Sequence, residues 1–60
     1  MKAKCLYNNG YEYSLTVGKV YEDARLEKGI FPGRDYIVLQ QGDNGKEVVC
    51  HSWRFQIIND

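Results

Sequence analysis

The sequence predicts an all-β domain, and three observations support this prediction. Turn-forming residues recur at short intervals along the chain, and the runs between them are rich in β-branched and aromatic residues. No window keeps the i, i+3, i+4, i+7 apolar spacing long enough to indicate a helix. The chain has 60 residues, which is enough for one small domain and leaves little apolar surface to bury. We therefore expect residues 1–60 to form a single β domain.

Five strands are expected in this domain, each bounded by glycine, proline, asparagine or a charged residue. A long loop, residues 8–15, follows the first strand, and a loop with Pro32 and Gly33, which suit a type II turn, precedes the third. Residues 42–45 suit a hairpin loop, and residues 51–54 are expected to form one 3-10 turn before the last strand. The predicted strands are residues 2–7, 19–26, 35–41, 46–50 and 55–58.

The stretch SLTVGKVY at residues 14–21 indicates how the sheet closes. Leu15 and Val17 are expected to point inward, and Gly18 permits a sharp bend because it lacks a Cβ atom and tolerates positive φ. A flat sheet of this size would leave too much apolar surface in water, whereas a closed or half-closed sheet buries one residue in two. The sequence therefore predicts a small β-barrel with Gly18 at a corner. Residues 22–25 break the alternation, which is typical of a bulge.

Three stretches of this chain resemble the Src homology 3-like barrel family: CLYNN at 5–9, SLTVGKVY at 14–21 and CHSWRF at 50–55. In that family a first strand ending in Ala-Leu-Tyr leads into a long loop, which is followed by Leu-Ser-Phe-x-x-Gly. A short helical turn with Pro-Ser-Asn-Tyr then precedes the final strand. The resemblance implies an all-β, five-stranded Src homology 3-like small barrel with one short 3-10 turn before the last strand.

The residues with which peptide-binding members of that family hold Pro-rich ligands are mostly replaced here. Tyr7 matches the first tyrosine of their groove, but Asn9, His51 and Arg54 stand at the positions of a second tyrosine, a proline and a third tyrosine. The tryptophan expected near the start of the third strand is also missing. Recognition of a polyproline helix depends on those stacking surfaces, so we do not carry that activity over.

The chain also resembles small proteins of Gram-positive bacteria and their phages, for which no general activity is established. The matching residues are 2–5, 10–12, 15–21, 36–38 and 54–55. This resemblance implies a phage or prophage accessory protein, with a host or phage protein as its partner.

The charge and the hydropathy of the chain limit the classes of partner that we expect it to bind. Eight basic and eight acidic residues give a formal charge of zero, whereas nucleic-acid-binding proteins usually show a basic excess. No apolar run approaches the roughly 20 residues that cross a bilayer, and no signal-peptide core follows Met1. We expect a cytoplasmic protein without a membrane partner, in which Cys5 and Cys50 are reduced. In an exported protein the same two cysteines would be candidates for a disulfide.

The sequence offers little for catalysis or for metal binding. Cys5, Cys50 and His51 supply three soft ligands, whereas a structural zinc site uses four and usually includes a Cys-x-x-Cys pair. Cys50 and His51 are neighbours on a strand and should point to opposite faces, so they are poorly placed to share a proton. We therefore expect no catalytic residue, no metal, no cofactor and no enzymatic activity.

Two groups of residues are candidates for binding a partner protein. The first comprises Tyr11 and Tyr13 of the long loop with Trp53 and Arg54, since exposed Tyr, Trp and Arg are enriched in recognition surfaces. The alternative is that these aromatic residues cover the ends of the barrel.

The second group lies on the third and fourth strands, which are apolar on both faces. Ile37, Leu39, Val48 and Cys50 are expected to form one outward patch, which marks a partner site and often a homodimer interface. The alternative is that the loop at residues 29–34 folds over this patch.

The expected function is that of a non-enzymatic small β-barrel that binds another protein. The partner-binding residues would be Tyr11, Tyr13, Trp53, Arg54, Ile37, Leu39 and Val48. One alternative is nucleic-acid binding, for which the footprint would be Lys2, Lys4, Lys19 and Arg54 with Tyr13 or Trp53. A second alternative is a sponge for nucleotides or other small ligands at a dimer groove.

Overall fold

The computed structural model describes residues 1–31 and 33–58, which form two three-stranded antiparallel sheets. One sheet has the order β2-β1-β6 and the other the order β3-β4-β5, and a 3-10 helix, Ser52–Arg54, joins β5 to β6. The all-β prediction is confirmed, and the 3-10 turn lies where the sequence predicts it. The strands are, in chain order, β1 (Lys2–Cys5), β2 (Val20–Tyr21), β3 (Ala24–Glu27), β4 (Tyr36–Leu39), β5 (Val48–His51) and β6 (Phe55–Ile58).

The described residues form six strands instead of the five predicted, because the expected second strand is divided between the two sheets. Tyr21 of β2 pairs with Ala3 of β1, whereas Ala24 of β3 pairs with Leu39 of β4. The break in alternation at residues 22–25 is thus a change of sheet. Among the described residues no strand of one sheet pairs with a strand of the other, and a closed barrel is not seen.

The core lies between the inner faces of the two sheets. Each sheet contributes the residues that alternate inward along its strands, and Leu15 adds a side chain from the long loop. Tyr11 and Ile57 are partly buried and pack against this cluster. The buried members are Ala3, Cys5, Leu15, Tyr21, Ala24, Ile37, Leu39, Val48, Cys50 and Phe55.

The expectation that Ile37, Leu39 and Val48 form an outward patch is wrong. Ile37 and Leu39 are completely buried and Val48 is 4% exposed. The hairpin register does place them on one face with Cys50, since Ile37 lies opposite Cys50 and Leu39 opposite Val48. That face is the inner one, because a domain this small needs its largest aliphatic side chains to fill the space between the sheets. These residues therefore offer no surface for a homodimer.

The corner at Gly18 is a tight turn that is hydrogen-bonded to β1. The Gly18 N–H donates to the Cys5 carbonyl at 2.7 Å, and the Lys19 N–H donates to the Thr16 carbonyl at 3.1 Å. Gly18 has φ of 89°, as its expected role requires. Val17 was expected to point inward but is half exposed, because it lies at the tip of this turn. The predicted Pro32-Gly33 turn includes Pro32, which lies outside the described residues.

We expect Ile37→Ala to lower the free energy of unfolding by about 2 to 5 kcal/mol, because it leaves a cavity in a filled core. Ile37→Val should cost about 0.5 to 1.5 kcal/mol and keep the protein folded for comparison. The matched control is Val49→Ala on the outer face of the same hairpin, which should stay within about 0.5 kcal/mol of the wild type. Urea titration followed by Trp53 fluorescence measures all three. Equal midpoints for Ile37→Ala and Val49→Ala would contradict the burial of Ile37.

Candidate functional site

Four side chains form a group that we call the aromatic–arginine cluster, in which Tyr7 and Trp53 are exposed and Tyr11 and Arg54 are half-buried. The guanidinium carbon of Arg54 lies 4.8 Å from the ring centroid of Tyr11, 4.9 Å from Trp53 and 5.5 Å from Tyr7. The rings of Tyr7 and Trp53 are 5.5 Å apart and inclined at 45°. A guanidinium within about 6 Å of a ring face is attracted to it, and Arg54 makes three such contacts at once.

Backbone hydrogen bonds bring the segments of the cluster together. The N–H groups of Leu6 and Tyr7 donate to the Arg54 carbonyl at 2.8 and 3.3 Å, which fixes the end of β1 against the 3-10 helix. The Tyr11 N–H donates to the Asn8 carbonyl at 2.8 Å. Leu15, which is buried in the core, donates its N–H to the Tyr11 carbonyl, so the long loop holds Tyr11 in place.

Side-chain hydrogen bonds orient the members of the cluster further. Arg54 donates from Nη1 to the Asn9 carbonyl at 2.8 Å, and the Asn9 amide donates to the Tyr7 hydroxyl at 2.8 Å. The Tyr11 hydroxyl donates to the Val49 carbonyl at 3.4 Å. The Nε atom of Arg54 is buried without a partner among the described residues. Trp53 is nevertheless 60% exposed, so the cluster presents an ordered aromatic surface to solvent.

A cleft of about 410 Å³ adjoins this cluster on its Trp53 side. It lies between the loop that precedes β4 and the 3-10 helix. The ring of His51 stacks on that of Tyr36 with centroids 5.2 Å apart, and the Ser52 N–H donates to the Asp35 carbonyl at 3.0 Å. The cleft is lined by Gly33, Arg34, Asp35, His51, Ser52 and Trp53.

The loop before β4 holds a close backbone contact at Gly29. A Cβ atom at Gly29 would lie 1.8 Å from the Arg34 carbonyl oxygen, so no other residue fits there without movement. Ile30 is 96% exposed and Phe31 is also exposed. The alternative in which this loop covers an apolar patch on β4 and β5 is therefore wrong, because its own apolar side chains face solvent.

The structure brings together Tyr11, Trp53 and Arg54 of the predicted partner-binding residues and adds Tyr7 to them. Tyr13 lies apart: its side chain is 92% exposed and makes no hydrogen bond or ring contact within the described part of the chain. The two tyrosines diverge because residues 12–14 form a turn, in which the Ser14 N–H donates to the Tyr11 carbonyl at 2.9 Å. The alternation of a strand does not hold across a turn.

Two of the three lysines of the nucleic-acid footprint lie beside carboxylates. Lys19 pairs with Asp43 at 2.8 Å, and Lys2 lies 3.9 Å from Glu22. Arg54 is on the aromatic–arginine cluster instead of beside these lysines. Sequence reasoning missed the first pairing, since Lys19 and Asp43 are 24 residues apart.

Asp43 joins the hairpin loop to the turn around Gly18, and we call its contacts the Asp43 clasp. Its carboxylate accepts hydrogen bonds from Lys19 at 2.8 Å, from the Thr16 hydroxyl at 2.6 Å and from the Tyr21 hydroxyl at 2.9 Å. Its N–H donates to the Ser14 carbonyl at 2.7 Å. The hydrogen bonds from Lys19, and next from Thr16, lower the pKa of Asp43.

The two thiols lie in the core and are not suited to act as nucleophiles. Cys5 and Cys50 are both free and buried. Burial raises the pKa of Cys50 to about 11 and also raises the pKa of Cys5. His51 lies on the other face of β5, stacked on Tyr36, as the alternation of the strand predicts.

Metal and membrane features were sought in the part of the chain that the structure describes. Among residues 1–31 and 33–58, no group of three or more His, Cys, Asp or Glu side chains could hold a metal ion. Within the same ranges, no helix is long and apolar enough to cross a membrane.

We expect Asp43→Asn to lower the free energy of unfolding by about 1 kcal/mol at neutral pH, a modest value because Lys19 and the carboxylate both face solvent. The folded-state pKa of Asp43 is depressed, so its contribution is complete above the ordinary carboxyl pKa and is lost as the pH falls through the folded value. The difference between the two proteins should therefore be constant above about pH 5 and shrink below about pH 4. Urea titrations across this range measure it. A difference that grows on acidification would contradict the clasp.

We expect both thiols to react with a disulfide reagent at pH 8 only as fast as the folded protein opens, because the reagent needs an accessible thiolate. Adding denaturant should accelerate the reaction by at least about a hundredfold, since local protection is then lost. Glutathione under the same conditions is the control. Reaction of either cysteine in the native protein at the glutathione rate would show that its thiol is accessible.

The chain was also compared with known proteins. No protein-family model matches it, and no curated protein or solved structure matches it either. Function is therefore inferred from the contacts within this chain, above all those of Arg54.

Proposed function

We propose that this chain is a Src homology 3-like small barrel that binds a partner protein through the aromatic–arginine cluster and the adjoining cleft, without catalysing a reaction. The fold part of this proposal is supported by the passage of the chain from one sheet to the other between β2 and β3 and by the 3-10 helix before the last strand. The alternation of β1, β4 and β5 places their inward residues in a common core, as a half-closed sheet requires.

The observation on which the binding function rests is the position of the Arg54 guanidinium among three aromatic rings. Trp, Tyr and Arg are the residues that most often dominate the free energy of protein–protein binding. Here they occur together, and Trp53 stays largely exposed although Arg54 packs against its ring. Apolar rings held at the surface gain free energy when a partner removes them from water.

The cluster is also ordered before any partner arrives. Hydrogen bonds fix the Arg54 side chain to Asn9 and the Tyr7 hydroxyl to the same residue. Binding costs free energy for each side chain that must be immobilised, about 0.5 to 1.5 kcal/mol for a flexible one. A pre-ordered cluster avoids part of that cost.

The resemblance to phage and prophage proteins suggests which partner to look for. We propose a host or phage protein in the cytoplasm, bound by an accessory protein. Nucleic-acid binding is less well supported, because Lys19 and Lys2 have carboxylates beside them and an electrostatic footprint needs cations free to meet phosphates.

We expect Trp53→Ala to weaken partner binding by at least about thirtyfold, which corresponds to a loss of about 2 kcal/mol. The matched control is Tyr13→Ala, which removes an aromatic ring that is even more exposed than Trp53 and lies outside the cluster. Immobilised wild type and both variants are used to capture proteins from lysate of the source cell, and the captured protein is then titrated against each in solution.

The wild type and Tyr13→Ala should retain the same protein, and Trp53→Ala should not. Circular dichroism and urea titration establish that both variants are folded. A partner that binds Trp53→Ala as tightly as the wild type would overturn the proposed site.

A further inference from the structure

We infer that the cluster and cleft select an acidic segment of the partner, in which an Asp or Glu side chain lies next to an apolar or aromatic one. This inference deepens the proposed function and rests on it. It concerns the chemistry of the partner, which neither the fold nor the aromatic rings determine by themselves.

The first support is the charge of the surface. Arg34 lines the cleft and Arg54 lies beside it, and neither has a carboxylate within ion-pair distance among the described residues. The other arginine of the chain, Arg25, is paired with Glu27 at 3.0 Å. Among the described residues, both guanidinium groups are thus left without an internal counter-ion.

The segments around the cleft carry a small excess of positive charge, whereas the charges that line the cleft itself, Arg34 and Asp35, balance. The loop before β4, the long loop and the 3-10 helix carry the cations Lys28, Arg34 and Arg54, against the carboxylates Glu12 and Asp35. Asp35 is the one carboxylate that lines the cleft. The net charge of these segments is +1, as three cations and two anions give, whereas the whole chain has a formal charge of zero. Charge complementarity therefore favours an anionic ligand.

The second support is the hydrogen-bonding capacity of Arg54. A guanidinium has five N–H donors, and the described residues accept from Arg54 only through the Asn9 carbonyl. The buried Nε is out of reach of a ligand, but the Nη groups have further N–H donors. A planar guanidinium whose face rests on aromatic rings presents its N–H edge to a carboxylate, which it can bind with two parallel hydrogen bonds.

The third support is the apolar surface next to these charges. Trp53 forms one wall of the cleft, and Ile30 and Phe31 project from the same loop as Arg34. An aliphatic or aromatic side chain of a peptide would cover them, whereas a phosphate backbone would not. The nucleic-acid footprint offers fewer free cations, because Lys19 is paired with Asp43 and Lys2 lies near Glu22. We therefore favour an acidic peptide segment over a nucleic acid.

The test is an unbiased selection. A random library of displayed peptides is panned against the immobilised wild type and, in parallel, against Trp53→Ala. We expect the peptides that depend on Trp53 to be enriched in Asp and Glu, each next to an apolar or aromatic residue. Their affinities are then measured in solution through the fluorescence of Trp53, the only tryptophan in the chain.

Charge reversal at the cleft supplies the matched pair of variants. Arg34→Glu should weaken the selected peptides by at least about tenfold, as should replacing the peptide Asp or Glu by Asn or Gln. Lys46→Glu makes the same change in charge near the Leu39–Val48 end of the β4–β5 hairpin, away from the Tyr36–His51 end beside the cleft. It should change the affinity by less than about twofold, since surface charges at that distance are screened by salt.

The outcomes separate this inference from the proposed function. If the peptides that depend on Trp53 are basic, neutral or Pro-rich, the inference of an acidic ligand is wrong, whereas the proposed protein-binding site is still supported. Equal weakening by Arg34→Glu and Lys46→Glu would also overturn it. If neither a peptide nor a cellular protein depends on Trp53, the proposed function fails and the inference fails with it. Tight binding of single-stranded DNA or RNA without selection of acidic peptides would favour the nucleic-acid alternative over both.

Discussion

The structure depends on the packing of the inner faces of two three-stranded sheets. Ile37 and Leu39 of β4 and Cys5 of β1 are the fully buried side chains at the centre of this contact, with Leu15 closing it from the long loop. A 60-residue chain can bury only a small core, and four of its larger aliphatic side chains, Leu15, Ile37, Leu39 and Val48, belong to it. Tyr21 and Phe55 complete this core, whereas Tyr11 lies at its margin, packing on the core on one side and facing Arg54 on the other.

Arg54 connects this scaffold to the recognition surface. Its carbonyl accepts from the backbone of Leu6 and Tyr7, while its side chain packs among the rings. One residue therefore fixes the end of β1 to the 3-10 helix and also sets the positions of Tyr7 and Trp53 relative to each other. A substitution of the side chain can remove the cluster without removing the backbone hydrogen bonds, so binding and folding are separable at this position.

Local features of the chain could be predicted from the sequence, and contacts between distant segments could not. The bend at Gly18 and the 3-10 turn follow from the residues that form them. Alternation shows that Ile37 and Leu39 share a face, but a strand that is apolar on both sides does not reveal which face is inside, and the packing of the other sheet decides it. The sequence shows that the alternation of apolar and polar residues breaks at 22–25. That this break is a change of sheet depends on which strands pair, which the sequence does not show. Trp53 and Arg54 were recognised as candidates, whereas their meeting with Tyr7 needed the fold.

Lys19 and the three arginines differ in whether a carboxylate holds them, and this difference links the fold to the proposed binding. Lys19 is held by Asp43 and Arg25 by Glu27, so these cations serve the attachment of the hairpin loop and the surface of β3. Arg34 and Arg54 have no such carboxylate in the described ranges. Arg34 lines the cleft, and the Arg54 guanidinium lies 4.9 Å from the ring of Trp53, which also lines it. A charged side chain that already has an ion pair inside the protein contributes little free energy to binding a partner. An unpaired guanidinium beside apolar rings contributes more, because the partner can form an ion pair with it and remove the rings from water. A chain of zero net charge can thus favour an acidic ligand, because among the described residues Arg34 and Arg54 form no ion pair with a carboxylate.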